Sequence, residues 1–397
     1  MQPRTIVIYC GLLMSAAAFG TDVTLPAFPQ METDLLTSKT LVQWTIPAFL
    51  IAAGMGQVVW GGISDRFGRK PALAGGLAMF LAGCLIAAFA ESIELLLSAR
   101  ALQGFGGAAA IVSSRAIVRD LYTGEELARG LALATAIFAA GPIVAPLAGG
   151  IITEFWDWRV VFGALAAYGA LMIMILVRMP ETLNVKAADA TKLTTMKRRA
   201  KQMFDNPQSR HFLVTSAITS SAIYLIITSL PVIYDVQFQV DGFAFSVFFA
   251  IHGLGIIVGQ IGNRRLIRRY GIIKAMIMAG IVLLLTSLAL LAGAMLDLMN
   301  VYSLTALMVL FATSYLVVYS NGAALVLDPH GDIAGYAASV FGVVSQIGGS
   351  LIAAALVVFT GASITGFGIS LLGICTVSLA GTLWWQSGAK ARLRATT

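Results

Sequence analysis

Charge is what this 397-residue chain has least of. Only 11% of its residues are Asp, Glu, Lys or Arg, against about 25% in ordinary soluble domains. A soluble fold of this length could bury a large core but could not cover it with so few charges. Histidine and cysteine are scarce as well, at three each. His211, His252 and His330 are scattered along the chain and supply no metal or acid–base cluster, which argues against a membrane-embedded enzyme. Cys10, Cys84 and Cys375 lie in apolar stretches without metal-like spacing. They read as small core residues and say nothing of a redox compartment.

Apolar residues make up 58% of the chain. They come in runs of roughly 20, enough for a helix to cross a bilayer about 30 Å thick. The chain therefore reads as an all-α integral membrane protein. Breaks at charges, Gly and Pro give twelve spans, near 5–27, 41–60, 71–90, 94–117, 127–152 and 158–179, then 210–234, 243–262, 272–295, 300–327, 334–360 and 364–386. The first could pass for a signal peptide, with Arg4 ahead of "TIVIYCGLLMSAAAFG", but it runs on to Pro26 through an aspartate and reads as a retained helix.

One long polar stretch, "RMPETLNVKAADATKLTTMKRRAKQMFDNPQSR", separates the sixth and seventh spans. It divides the chain into a six-helix bundle at 1–179, a linker at 180–209 and a second bundle at 210–397. Within it "TTMKRRAKQMF" fits a short basic helix on the membrane surface or, equally, a solvated linker. Lys and Arg gather on alternate loops: Arg66, Arg69, Lys70, Arg115, Arg119, Arg129, the linker, Arg264, Arg265, Arg268, Arg269, Lys274 and the tail at Lys390, Arg392 and Arg394. The opposite loops hold only Lys39 and Arg159. By the positive-inside rule both termini are expected to be cytoplasmic. The same asymmetry accounts for the net charge of +7, so nucleic-acid binding is a poor reading of it.

The halves resemble each other. "GQVVWGGISDRFG" at 56–68 and "GQIGNRRLIRRYG" at 259–271 share Gly-Gln, then Arg-aromatic-Gly, at an offset of 203, each after the second span of its half. Repeats around a midplane site are a transporter feature. A receptor, scaffold or channel has no need of them.

Ionisable residues inside spans are functional by default, because charge in hydrocarbon is costly. Asp22 shares a helical face with Gly11, Ser15, Ala18 and Pro26, a small and polar stripe that should face the bundle interior. Arg100 shares one with Gln103, Gly104, Gly107, Ile111 and Ser114. Spans one and four run in opposite directions, which places both ionisable residues about 8 Å below the outer surface. A carboxyl out of water takes a proton readily and a nearby guanidinium opposes this. The pair is therefore expected to bind and release H⁺ as water access changes, or to be a static ion pair that fixes packing. His252, Tyr224, Tyr315, Tyr319 and Asn321 are candidate cavity residues, His252 fitting equally a bonded interior histidine. The glycines of "GFGGAAA" are not a phosphate loop, since no strand precedes them.

Several motifs occur in matching order along nearly the whole chain. "GGISDRFGRK", with Gly61, Asp65, Arg66, Gly68 and Arg69, resembles the loop signature between the second and third helices of the major facilitator superfamily. "RALQGFGGA" from Arg100 resembles its fourth-helix signature. "GPIVAPLAGG", with Gly141, Pro142, Pro146, Gly149 and Gly150, resembles the fifth-helix signature of proton-driven antiporters. "GTDVTLPA" around Asp22, "SRAIVRDLY" through Asp120, "NGA" at Asn321 and "DIAGYAAS" from Asp332 resemble the Bcr/CflA group of drug exporters.

The resemblance implies a drug:H⁺ antiporter with twelve transmembrane helices in two pseudo-symmetric six-helix bundles. Asp22 would be the coupling carboxylate, with Arg100 its partner in the transport cavity. Such a protein sits in the inner membrane as a monomer, needs no cofactor, is driven by the proton gradient and exports small drug-like substrates. A proton-coupled symporter, or an exporter of an endogenous metabolite, would share the fold and most of the motifs. Two departures stand out: Ala145 where the fifth-helix motif usually has Gly, and Arg268 in the repeat where the first copy has Asp65. The acid of the loop thus comes from one half only. Asp65 against the start of span eleven near Asp332–Gly335 would favour the inward-closed state. Arg66, Arg69 and Lys70 could pair with Asp120 or lipid phosphate, but for Arg69 and Lys70 the simpler expectation is topogenic charge. Gly61 and Gly68 are expected where helix ends crowd and the loop turns tightly.

Overall fold

In the computed structural model the described residues are 2–183 and 193–396, and among them every regular element is a helix. In chain order these are α1 (Pro3–Asp22), α2 (Phe28–Asp34), α3 (Lys39–Gln43), α4 (Thr45–Phe67), α5 (Arg69–Ala88), α6 (Ile93–Leu121), α7 (Gly124–Ala139), α8 (Gly141–Phe155) and α9 (Arg159–Val177). The linker helix is α10 (Leu193–Asp205). Then come α11 (Pro207–Phe238), α12 (Gly242–Tyr270), α13 (Ile272–Met295), α14 (Val301–Leu327), α15 (Ala334–Thr360) and α16 (Ile364–Thr396).

Twelve helical stretches are long and apolar enough to cross a membrane. Their ends follow local chemistry. Ser92 caps α6 by accepting from the Leu95 amide, and Asn300 forms a capping box with Ser303 at α14. Several spans outrun their expected limits because the helix continues through charged residues. The eighth was expected to end near 262, but α12 runs on through Arg264–Tyr270. The first differs in kind: it runs from 3 to 34 but breaks after Asp22, with a 3-10 turn at Leu25–Ala27 before α2.

The chain forms two compact units, residues 1–200 with 241–247, and 201–240 with 248–397. In the first, α6 packs between α4 and α5 through positions with no room for a Cβ. Gly104 lies on the backbone of Phe49, and Gly83 on the backbone of Gln103. Small residues let helix backbones meet where apolar burial offers little driving force. In the second unit Gly255 and Gly259 of α12 lie on the Val309 and Thr313 carbonyls of α14. The sequence repeat is visible in this packing. Gly56, the counterpart of Gly259, presses on the Phe105 carbonyl of α6.

Candidate functional site

Asp22 is the last residue of α1 and is only 4% exposed. Pro26 supplies no amide to continue the helix, so carbonyls near the break need other partners. Thr24 Oγ1 donates to the Thr21 carbonyl at 2.7 Å. Thr21 Oγ1 lies 2.7 Å from Asp22 Oδ1 as a donor and also reaches the Ala17 and Ala18 carbonyls. The expected small stripe is buried: Ser15 Oγ donates to the Gly11 carbonyl, and Gly11 lies against Ala134 and Ile137 of α7. The fifth-helix motif meets the same surface. Gly141 packs on Ala18, and Gly149 lies against the Val23 carbonyl, where any Cβ would collide. Pro142 opens α8 after the break at Ala140, Pro146 and Ala145 are buried within it, and Gly150 lies on Ser246 and Phe243.

Arg100 is wholly buried, yet its partner is not Asp22. Its Nε donates to the Thr45 carbonyl at 3.3 Å and its Nη1 to Gln103 Oε1. The guanidinium lies 4.6 Å from the Phe49 ring centroid and 5.8 Å from that of Phe162. Gln103 in turn donates to Cys84 Sγ at 3.0 Å. Nη2 has no hydrogen-bond partner. The expected Asp22–Arg100 ion pair is therefore not formed. The Phe49 ring lies against Gly20 of α1 and also under the guanidinium. The partners of Arg100 are instead the Thr45 carbonyl, Gln103 and two ring faces in cation–π contact.

The loop signature is a second centre, built around Arg69. Arg69 is 3% exposed, so besides any topogenic charge it has partners within the fold. Its Nε donates to Asp120 Oδ2 at 2.8 Å, and its Nη1 to Asp65 Oδ1 and to Ser64 Oγ. Arg66 is exposed, and its guanidinium lies 5.1 Å from the Phe67 ring centroid. Lys70 Nζ donates to the Val177 and Met179 carbonyls at the end of α9, both at 2.9 Å, so it too has a structural partner.

Sequence reasoning missed Glu181. Its carboxylate accepts the Arg69 and Lys70 amides at 2.9 and 3.0 Å, and those of Thr182 and Leu183. Burial alone would raise its pKa, but these four amides together hold it below the ordinary glutamate value. Gly68, at φ 120° and ψ 161°, leaves room for Glu181 Oε2, which a Cβ would approach to 2.5 Å. Gly61 has no such constraint, its nearest neighbour being Val112 at 3.7 Å, so the expected crowding is confined to Gly68. The only sequence signal for Glu181 was an acid just after the proline that follows a span. The side chains of Asp332 and Gly335, expected opposite Asp65, lie outside the described residues, as do those of Lys390, Arg392 and Arg394.

In the second unit the candidate aromatics gather. Tyr315 stacks on Tyr319 at 5.9 Å, Tyr319 meets Phe341 at 5.3 Å, and Tyr224 lies near enough to both tyrosines to interact electrostatically. His252 is buried beside Phe249, and its Nε2 lacks a partner. Asn321 is committed elsewhere. It exchanges amide hydrogen bonds with Asn263 at 3.0 and 3.1 Å, which accounts for its burial without a ligand. No group of His, Cys, Asp and Glu among the described residues could hold a metal ion.

Comparison with known proteins gives the family. The chain is 29% identical over 353 residues to the uncharacterized MFS-type transporter YdgK of Bacillus subtilis, covering 86% of both chains. It is 27% identical to the bicyclomycin resistance protein homolog of Haemophilus influenzae, over 87% of this chain and 88% of that one. Multidrug resistance protein D of Escherichia coli is 33% identical over 187 residues, 47% of this chain and 48% of its own. Among solved structures, a D-xylose–proton symporter matches with a TM-score of 0.74 at 14% identity, over 94% of this chain and 97% of that one. A peptide transporter in complex with sulfate matches at 0.75 and 16%, over 98% and 94%. The Major Facilitator Superfamily profile matches residues 10–354, and on that match, with its twelve spans, the chain belongs to the Major Facilitator Superfamily of membrane transporters.

Proposed function

We propose that the chain is a proton-coupled exporter of small amphiphilic, drug-like compounds, with Asp22 carrying the proton. The observation that carries this reading is the setting of Asp22. It is a buried carboxyl at a break in a membrane-spanning helix, hydrogen-bonded to its neighbour Thr21, with no ion pair to a described cation. A charge there is disfavoured; uptake of a proton removes that cost and release restores it. A discontinuous helix lets such a group change its exposure during alternating access. The names of the relatives, which include resistance to bicyclomycin and, in a shorter match, chloramphenicol, support export of antibiotics.

Substrate contacts then fall to neutral and aromatic groups, Tyr224, Tyr315 and His252, and to Arg100 with Gln103. In this reading Asp65, Arg69 and Asp120 form the conformational latch, the proton gradient supplies the drive without a cofactor, and the protein works as a monomer in the inner membrane with both termini cytoplasmic. The test is drug accumulation in expressing cells. Expression is expected to lower accumulation of a phenicol, a protonophore to restore it, and Asp22→Asn to abolish gradient-driven export. Export that survives both the protonophore and Asp22→Asn overturns the reading.

A further inference from the structure

The two copies of the inter-helix loop carry different charge balances. In the first, Arg69 is neutralised by Asp65 and Asp120, and Glu181 closes the group. In the second, Arg264, Arg265, Arg268 and Arg269 end α12 and Lys274 follows in α13. All five are exposed, and none forms an ion pair with an acid among the described residues. At 100° per residue, the four arginines fall within an arc of about 140° of the helix.

That arc can be placed. Higher up α12 it carries Leu254, Val258 and Ile261, which are 50%, 61% and 61% exposed. The opposite side carries Gly255 and Gly259, pressed on the α14 carbonyls, and Asn263, bonded to Asn321. An exposed apolar stripe on a membrane-spanning helix faces acyl chains, so its continuation faces the layer where those chains end. Ile261 to Arg268 spans about 10 Å along the helix, the depth of a headgroup layer. Tyr270, 41% exposed under the Arg269 guanidinium, adds an amphipathic ring at that level.

We infer that this face is a binding surface for anionic phospholipid headgroups, with the four arginines donating hydrogen bonds to the phosphate oxygens. A cluster of basic residues at a helix end attracts an anionic leaflet and weakens within a Debye length. Guanidinium groups add bidentate hydrogen bonds to phosphate. In the first loop, by contrast, the central arginine is buried and occupied by carboxylates.

The test uses full-length protein in phosphatidylcholine vesicles containing trace spin-labelled phosphatidylglycerol or spin-labelled phosphatidylcholine. Wild type is expected to retain phosphatidylglycerol in preference, with the preference shrinking as salt rises. The fourfold variant Arg264→Gln, Arg265→Gln, Arg268→Gln, Arg269→Gln should lose at least about fivefold of it, the effect of one basic residue at an anionic surface. The same four positions changed to Lys should keep most of it. Neutralising Lys197, Arg198, Arg199 and Lys201 of α10 should leave it in place. If the fourfold variant fails to insert, Arg264→Gln with Arg268→Gln gives the same reading at half the charge. No preference in wild type, or equal preference after neutralisation, overturns the inference. So does retention of an acidic soluble protein by wild type that ignores phosphatidylglycerol.

Discussion

Gly68 and Gly271 share a backbone conformation, φ 120° with ψ 161° and φ 80° with ψ 164°, that is open essentially to glycine alone. Their surroundings differ. A Cβ at 68 would meet Glu181 Oε2, whereas a Cβ at 271 would meet nothing within 4 Å. Gly271→Ala should therefore cost the backbone strain alone, about 1–3 kcal/mol. Gly68→Ala should cost that and displace Glu181, so thermal unfolding in detergent should show it as the less stable variant. Both glycines were legible from the repeat. The partner of Arg100 was not: the sequence marked an arginine inside a span, but Phe49 and Phe162, whose rings hold it, look like any other apolar residues of their spans. Charge is easy to read from sequence, and the aromatic surface that accepts it is not.

Helices α5 and α9 cap each other. Glu181, just beyond α9, takes the first amides of α5, and Lys70, at the start of α5, takes the last carbonyls of α9. Each charge meets the helix end of opposite partial charge. A carboxylate whose folded pKa lies below its ordinary value of 4.5 stabilises fully above that value and loses its contribution as pH falls through the folded pKa. Wild type should accordingly lose stability on acidification below about pH 4.5. Glu181→Gln should be less stable at neutral pH and show a flatter profile there, read by denaturation at stepped pH. An equal slope in both proteins would remove Glu181 from the clamp. Periodicity could not find this element pair, since Glu181 stood in polar linker sequence where hydropathy carries no signal. The break in the first span was hidden for a related reason: the apolar run continues through it, and only Pro26 hinted that the helix would stop.

The packing contacts described for α4, α5 and α6 lie within the first unit, and those of α12 with α14 within the second. A chain cleaved at a protease site inserted into 184–192 should therefore keep its helical circular dichroism unchanged, and a large loss on cleavage would show that the units depend on the link. The offset of 203 made the duplicated architecture legible at this scale, down to Gly56 and Gly259 on matching carbonyls. It could not show how far the copies had diverged in purpose, because that depends on which charges are buried. All three cysteines are buried, and Cys84 accepts from Gln103 beside Arg100. Labelling of the native protein by thiol reagents is therefore expected to be slow. A single cysteine placed on any helix face can be read against that background without first building a cysteine-free protein, and Cys84 is best left as it is.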